Sequence, residues 1–164
     1  MEENTYNIQR VWTELDFEQM EWHDCRIYGF ASYPESFEVA FDIDYICEWI
    51  MPIAPATHYE FRTAPATLVF WNVRDLVIDI DSGDATLDID SIKRTLVGVP
   101  INSKFIDRQE EWEWSLELGY GQIKLHSVGY HLYLRQIPKI RRKQRLDLKE
   151  RGEISFARKG WDQS

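Results

Sequence analysis

Apolar and polar residues alternate with a period of two over most of the chain, the pattern of strands with one buried face. Residues 37–45 show it best. Phe37, Val39, Phe41, Ile43 and Tyr45 share one face, and Glu38, Ala40, Asp42 and Asp44 the other. Residues 75–81 repeat it, with Leu76, Ile78 and Ile80 inward and Val77, Asp79 and Asp81 outward. Ser82-Gly83-Asp84 then reads as a turn, and 86–92 as the returning strand, with Leu87 and Ile89 opposite Asp88 and Asp90. In 111–118, Trp112, Trp114, Leu116 and Leu118 alternate with Glu111, Glu113, Ser115 and Glu117. Further strands are expected at 25–33, 59–62, 67–73, 122–127 and 130–136, with Ala64-Pro65-Ala66 as a break and 93–108 mostly loop. Within 7–21, Ile8, Val11, Trp12 and Leu15 fit one face of a short helix. The whole predicts an all-β, mainly antiparallel fold, a sandwich or incomplete barrel with a short N-terminal helix.

The length of 164 residues suits one domain with a real core. No run of 18 apolar residues suggests a membrane span, and Met1–Arg10 lacks the basic-then-apolar pattern of a secretion signal. Cys25 and Cys47 form no CxxC pair and are expected as reduced thiols in a cytoplasmic protein, with a mutual bridge as the alternative. The net charge of −9 is unevenly spread. Residues 139–164 hold nine Lys+Arg and four acids, so they carry +5; the preceding residues hold ten Lys+Arg and 24 acids, so they carry −14. This change after Pro138 divides the chain into a single β-rich domain, 1–138, and a basic C-terminal arm, 139–164. The acidic balance argues against nucleic-acid and membrane partners. The arm is expected to fold onto the acidic face of its own chain or, by self-association, of a second copy.

The acids are candidates for protein binding because they sit at even spacing. Asp42 and Asp44, Asp79 and Asp81, and Asp88 and Asp90 each project from one side of their strand. Like charges on neighbouring strands cost stability, which points to electrostatic complementarity with a basic protein partner. The stretch from Asp79 to Asp90 superficially follows a calcium loop. It has glycine at the fifth position instead of the sixth and Asp instead of Glu at the twelfth, so no metal site is expected. His23-Asp24 offers an imidazole and a carboxylate for acid–base work or a metal. His58, His126 and His131 show no metal-ligand spacing, and no GxSxG, P-loop or GxGxxG motif occurs. No catalytic residue and no cofactor is assigned, and the balance leans away from an enzyme. Of the seven tryptophans, Trp112 and Trp114 are expected in the core, while Trp22, Trp49 and Trp71 lie by turns or strand ends, where an indole caps a core or lines a pocket.

Three segments carry a resemblance: Trp22-His-Asp-Cys-Arg-Ile-Tyr-Gly29, Phe41-Asp-Ile-Asp-Tyr-Ile-Cys-Glu-Trp49 and Ala64-Pro-Ala-Thr-Leu-Val-Phe70. Together they resemble a pattern in small uncharacterised bacterial β-rich proteins. The His-Asp-then-strand opening is similar to that of some polymorphic-toxin immunity proteins. The resemblance spans residues 22–81 and implies a cytoplasmic bacterial protein with no established catalytic residues. The leading expectation is a non-enzymatic protein-interaction domain, toxin-neutralising in the manner of an immunity protein. The alternatives are a small-ligand-binding β-barrel or sandwich lined by tryptophans, and a metal-dependent enzyme using His23 and Asp24.

Overall fold

The alternating segments become ten strands in the computed structural model, which describes residues 9–163. In chain order they are β1 (Val11–Thr13), β2 (Cys25–Tyr33), β3 (Glu38–Ile50), β4 (Glu60–Trp71), β5 (Arg74–Ile80), β6 (Asp88–Gly98), β7 (Glu111–Leu118), β8 (Gly121–Ser127), β9 (Gly129–Leu134) and β10 (Lys139–Arg141). Every ladder is antiparallel. They make one unclosed sheet in the order β1-β9-β4-β3-β2-β6-β7-β8-β5, with β10 also beside β4. No helix among the described residues is long and apolar enough to cross a membrane.

The sheet folds over on itself. Trp114 of β7 packs edge-on against Tyr130 of β9, with ring centroids 5.5 Å apart, although four strands separate them along the sheet. Phe70 of β4 lies equally close to Trp114. The aromatic core thus sits between the half made of β1, β9, β4, β3 and β2 and the half made of β6, β7, β8 and β5, and removing this apolar surface from water drives the closure. The seam between the halves is narrow. The β2–β6 ladder pairs only Cys25 with Ile89 and Arg26 with Asp88.

Several expectations need correction. The Pro65 break is absent, and β4 runs straight through it. A strand residue points its N–H and C=O toward the same neighbour. The Pro65 carbonyl accepts from the Arg135 N–H at 2.9 Å, so the missing N–H falls between the ends of β9 and β10 and costs the β3 ladder nothing. Residues 75–81 and 86–92 do not pair with each other. β5 pairs with β8, and β6 with β2 and β7. β5 is therefore an edge strand, and Ile78, expected inward, is 44% exposed. The expected loop after residue 93 remains strand to Gly98.

At the N-terminal end, Ile8 lies outside the described residues. Instead of one helix there is β1, paired with β9, followed by a 3₁₀ turn over Glu14–Gln19. Thr13 and Asp16 cap that turn reciprocally, and Leu15 faces solvent. Beyond Pro138, β10 pairs with β4, the helical turn α1 (Leu148–Arg151) follows, and the strand expected at 154–157 is absent.

Candidate functional site

The acids of β3 lie under the basic arm. Asp42 and Asp44 project from the outer face, as the alternation requires, yet both are almost fully buried. The Arg151 guanidinium spans them, with Nη2 2.7 Å from Asp42 Oδ1 and Nε 2.9 Å from Asp44 Oδ1. It also lies 3.8 Å over the centre of the Tyr28 ring. Arg135 adds a second cation to Asp42 at 2.7 Å. The backbone N–H groups of Ser155 and Leu146 donate to Asp42 and Asp44, and the Tyr28 hydroxyl donates to Asp44. Burial disfavours the Arg151 charge, but the two carboxylates outweigh that cost and raise its pKa. Burial and, after it, the Asp44 carboxylate push the Tyr28 hydroxyl up to about 12. Farther along the arm, Thr67 Oγ1 donates to the Ala157 carbonyl, Ile154 packs over Gly29, and Arg158 pairs with Glu38 at 2.6 Å. Asp42 and Asp44, expected as protein-binding residues, are consumed internally because buried carboxylates require cations and donors.

The other expected acids lie on β6 and at the end of β5. Asp88 marks the seam. Its carboxylate takes Arg26 Nε at 2.8 Å and Arg145 Nη2 at 2.6 Å, so the arm reaches this site too. Burial raises the Asp88 pKa, and the two guanidiniums overcome that and leave it below the ordinary carboxylate value. Asp79, Asp81 and Asp90 are exposed, and no ion pair is described for any of them. Their strands are not ladder neighbours. They meet instead around a hollow of about 210 Å³, lined by Asp24, Ile80, Asp88, Asp90 and Tyr120 among others. The Asp81 N–H donates to the Tyr120 carbonyl, which ties the β5 end to the β7–β8 turn.

The Ser82-Gly83-Asp84 turn holds itself together. The Asp84 carboxylate accepts from the Thr86 hydroxyl and N–H and from Ser82, and these bonds lower its pKa. No group of three or more His, Cys, Asp or Glu able to hold a metal occurs among the described residues. His23 Nε2 stands 3.5 Å from Asp24 Oδ2, and its ring stacks on Trp49. Asp24 is engaged by Gln144 of the arm at 2.6 Å, so the pair sits inside the arm's contacts. His126 and His131 do not meet as a pair. His126 faces Glu113 and Asp75, whereas His131 stacks with Tyr133. Cys25 and Cys47 are both free, and burial pushes the Cys25 thiol up and the Cys47 thiol up to about 12.

The alternation did not reveal a third feature. On the outer face of β4 and β9, Trp71, His131 and Tyr133 form a row of rings with centroids 6.2 and 5.8 Å apart. They line a cleft of about 620 Å³ that is closed on one side by Phe37 and on another by Phe105 and Ile106. The only advance signal was the position of Trp71 at a strand end. Comparison with protein-family models, with curated proteins and with solved structures finds no match to this chain.

Proposed function

We propose that this chain is a non-catalytic protein-interaction domain whose exposed acidic end takes a basic protein partner, as a toxin-neutralising immunity protein does. The observation that supports it is the division of the acids. Arginines neutralise Asp42, Asp44 and Asp88, while Asp79, Asp81 and Asp90 remain exposed without described ion pairs; Asp90 lines the hollow, and Asp79 and Asp81 flank Ile80, which lines it too. Uncompensated like charges gathered at one end repel one another, and a basic surface relieves that repulsion while speeding encounter. The accompanying fold reading is a sandwich, two faces of one sheet pressed around the aromatic core. Two free thiols fit a reducing compartment, which supports a cytoplasmic location.

The test is association kinetics with basic proteins drawn from the products of the neighbouring genes. The triple variant Asp79→Asn/Asp81→Asn/Asp90→Asn should associate about tenfold more slowly, with a flatter dependence on salt. An unchanged on-rate, or no binding by the parent protein, would sink the proposal.

A further inference from the structure

Glu14 opens the 3₁₀ turn after β1 and is only 6% exposed. Its carboxylate rests against β9 at Gly129, where any Cβ would overlap Glu14 Cδ. A side chain at that position would displace the carboxylate, so the glycine leaves it its place. The Gly129 N–H does not serve it, because that group donates to Ser127 Oγ. Neither Glu14 oxygen accepts a hydrogen bond from a described residue. Arg108 Nε stands 2.8 Å from Oε1 and covers the group, but its N–H is not aimed at an acceptor. The Arg108 guanidinium lies instead over the Trp71 ring, 5.4 Å from its centre. Arg94 is held elsewhere too, over the Phe17 and Trp112 rings and paired with Glu18 at 3.2 Å. A buried carboxylate with two unfilled acceptors is costly, and a ligand that brings aligned donors removes that cost.

We infer that the hollow beside Glu14, about 420 Å³, binds a guanidinium group on an alkyl stem, which takes the carboxylate over from Arg108. The two open oxygens of one carboxylate match the planar fork of a guanidinium, which meets both at once. Leu15, Trp112 and Val128 line the hollow and suit an alkyl stem. Asp107 and Glu110 form its rim, both exposed and with no described ion pair. Four acids, Glu14, Glu18, Asp107 and Glu110, thus stand against two cations, Arg94 and Arg108. Exposed Lys104, three positions before Asp107, still leaves one acid in excess. Lys93 lies on the other face of β6 from Arg94, and Arg74 is taken by Glu111 and Asp75. The surplus favours a cation. Arg108 is 38% exposed and poorly aligned, so it can turn out into water and yield its position. No residue is shared with the hollow beside Asp90, so this inference does not rest on the acidic end. The group is carried by a free alkylguanidine or by an arginine side chain of a protein.

The test titrates the full chain with butylguanidinium, butylammonium and the neutral isostere butylurea, read by NMR at the Gly129 amide and the Trp112 indole. Butylguanidinium should shift both signals saturably, butylammonium should bind more weakly, and butylurea should shift neither. No saturable shift, or an equal one from butylurea, overturns the inference and leaves the carboxylate to Arg108 and water. Butylammonium binding as tightly as butylguanidinium overturns the choice of a guanidinium. Glu14→Gln should weaken binding about tenfold, and unchanged affinity overturns the inference. Because Glu14 is buried, Arg108→Ala at the half-exposed cover gives a second reading. It removes the competing cation and should tighten binding about threefold; looser binding overturns the inference. The triple variant Asp79→Asn/Asp81→Asn/Asp90→Asn should bind butylguanidinium like the parent, and a loss there would move the site to the acidic end. The capped tripeptide Gly-Arg-Gly then separates the two sources. Affinity equal to that of butylguanidinium assigns the site to a protein arginine, and exclusion of the tripeptide assigns it to a free alkylguanidine.

Discussion

Asp42 and Asp44 on β3 and Asp79 and Asp81 at the end of β5 have the same sequence signature and opposite fates. Both pairs alternate with large aliphatic or aromatic residues, and both project away from the inward row. β3 lies in the middle of the sheet between β2 and β4, so its outer face is available for a second layer, and the arm supplies one. β5 ends the path, with β8 as its only described ladder partner, and its acids remain in water. An acid on an alternating strand thus specifies only which face it occupies. Whether that face is surface or interior depends on what crosses it later in the chain.

The sharpest way to break this contrast is Arg151→Met. If the β3 acids are interior groups, the substitution strands two buried carboxylates and should cost about 3–5 kcal/mol in urea denaturation, despite the remaining Arg135 contact. A loss below about 0.5 kcal/mol would place the β3 acids in the same class as those of β5.

Asp88 is intermediate, and its pH dependence sharpens the contrast. Its folded pKa is lowered on balance by Arg26 and Arg145, so its stabilisation is fully present above the unfolded carboxylate value and disappears as pH falls through the folded one. Asp88→Asn should remove about 1–2 kcal/mol at neutral pH and flatten the acid limb of the stability curve, read by thermal melts across pH. An acid limb as steep as the parent's would show that the seam pairing contributes nothing.

The smallest effect belongs to Asp79→Asn/Asp81→Asn/Asp90→Asn. Stability should change by less than about 0.5 kcal/mol, and in the stabilising direction, because only repulsion between exposed groups is removed. A large loss in the same melts would reveal an internal role for these acids.

The sequence was most informative where period and burial coincide. β2 and β7 occupy the expected 25–33 and 111–118, and Trp114 lies in the core. It was least informative where a distant element decides the outcome. Strand pairing is long-range, so the neat Ser-Gly-Asp turn suggested a hairpin that the β5–β8 ladder replaces. Pro65 signals a break in sequence but makes none, because proline disrupts a ladder only on the side its nitrogen faces, and that side is set by the placement of β9 and β10. The aromatic row of Trp71, His131 and Tyr133 joins two strands some 60 positions apart, and periodicity within one strand contains no trace of it. The charge step after Pro138 was legible, and so was the arm's attraction to the acids; the deep burial of Arg151 was not.

Arg151 follows Asp42 by 109 positions. During synthesis, the central strand leaves the ribosome with two carboxylates facing outward and no guanidinium yet made to receive them. Until then the outer face of β3 is better hydrated than packed, so the final docking of the arm should be a late event that locks a sheet already paired. A nascent chain halted before residue 151 should accordingly be protease-sensitive, even with most of its strands complete.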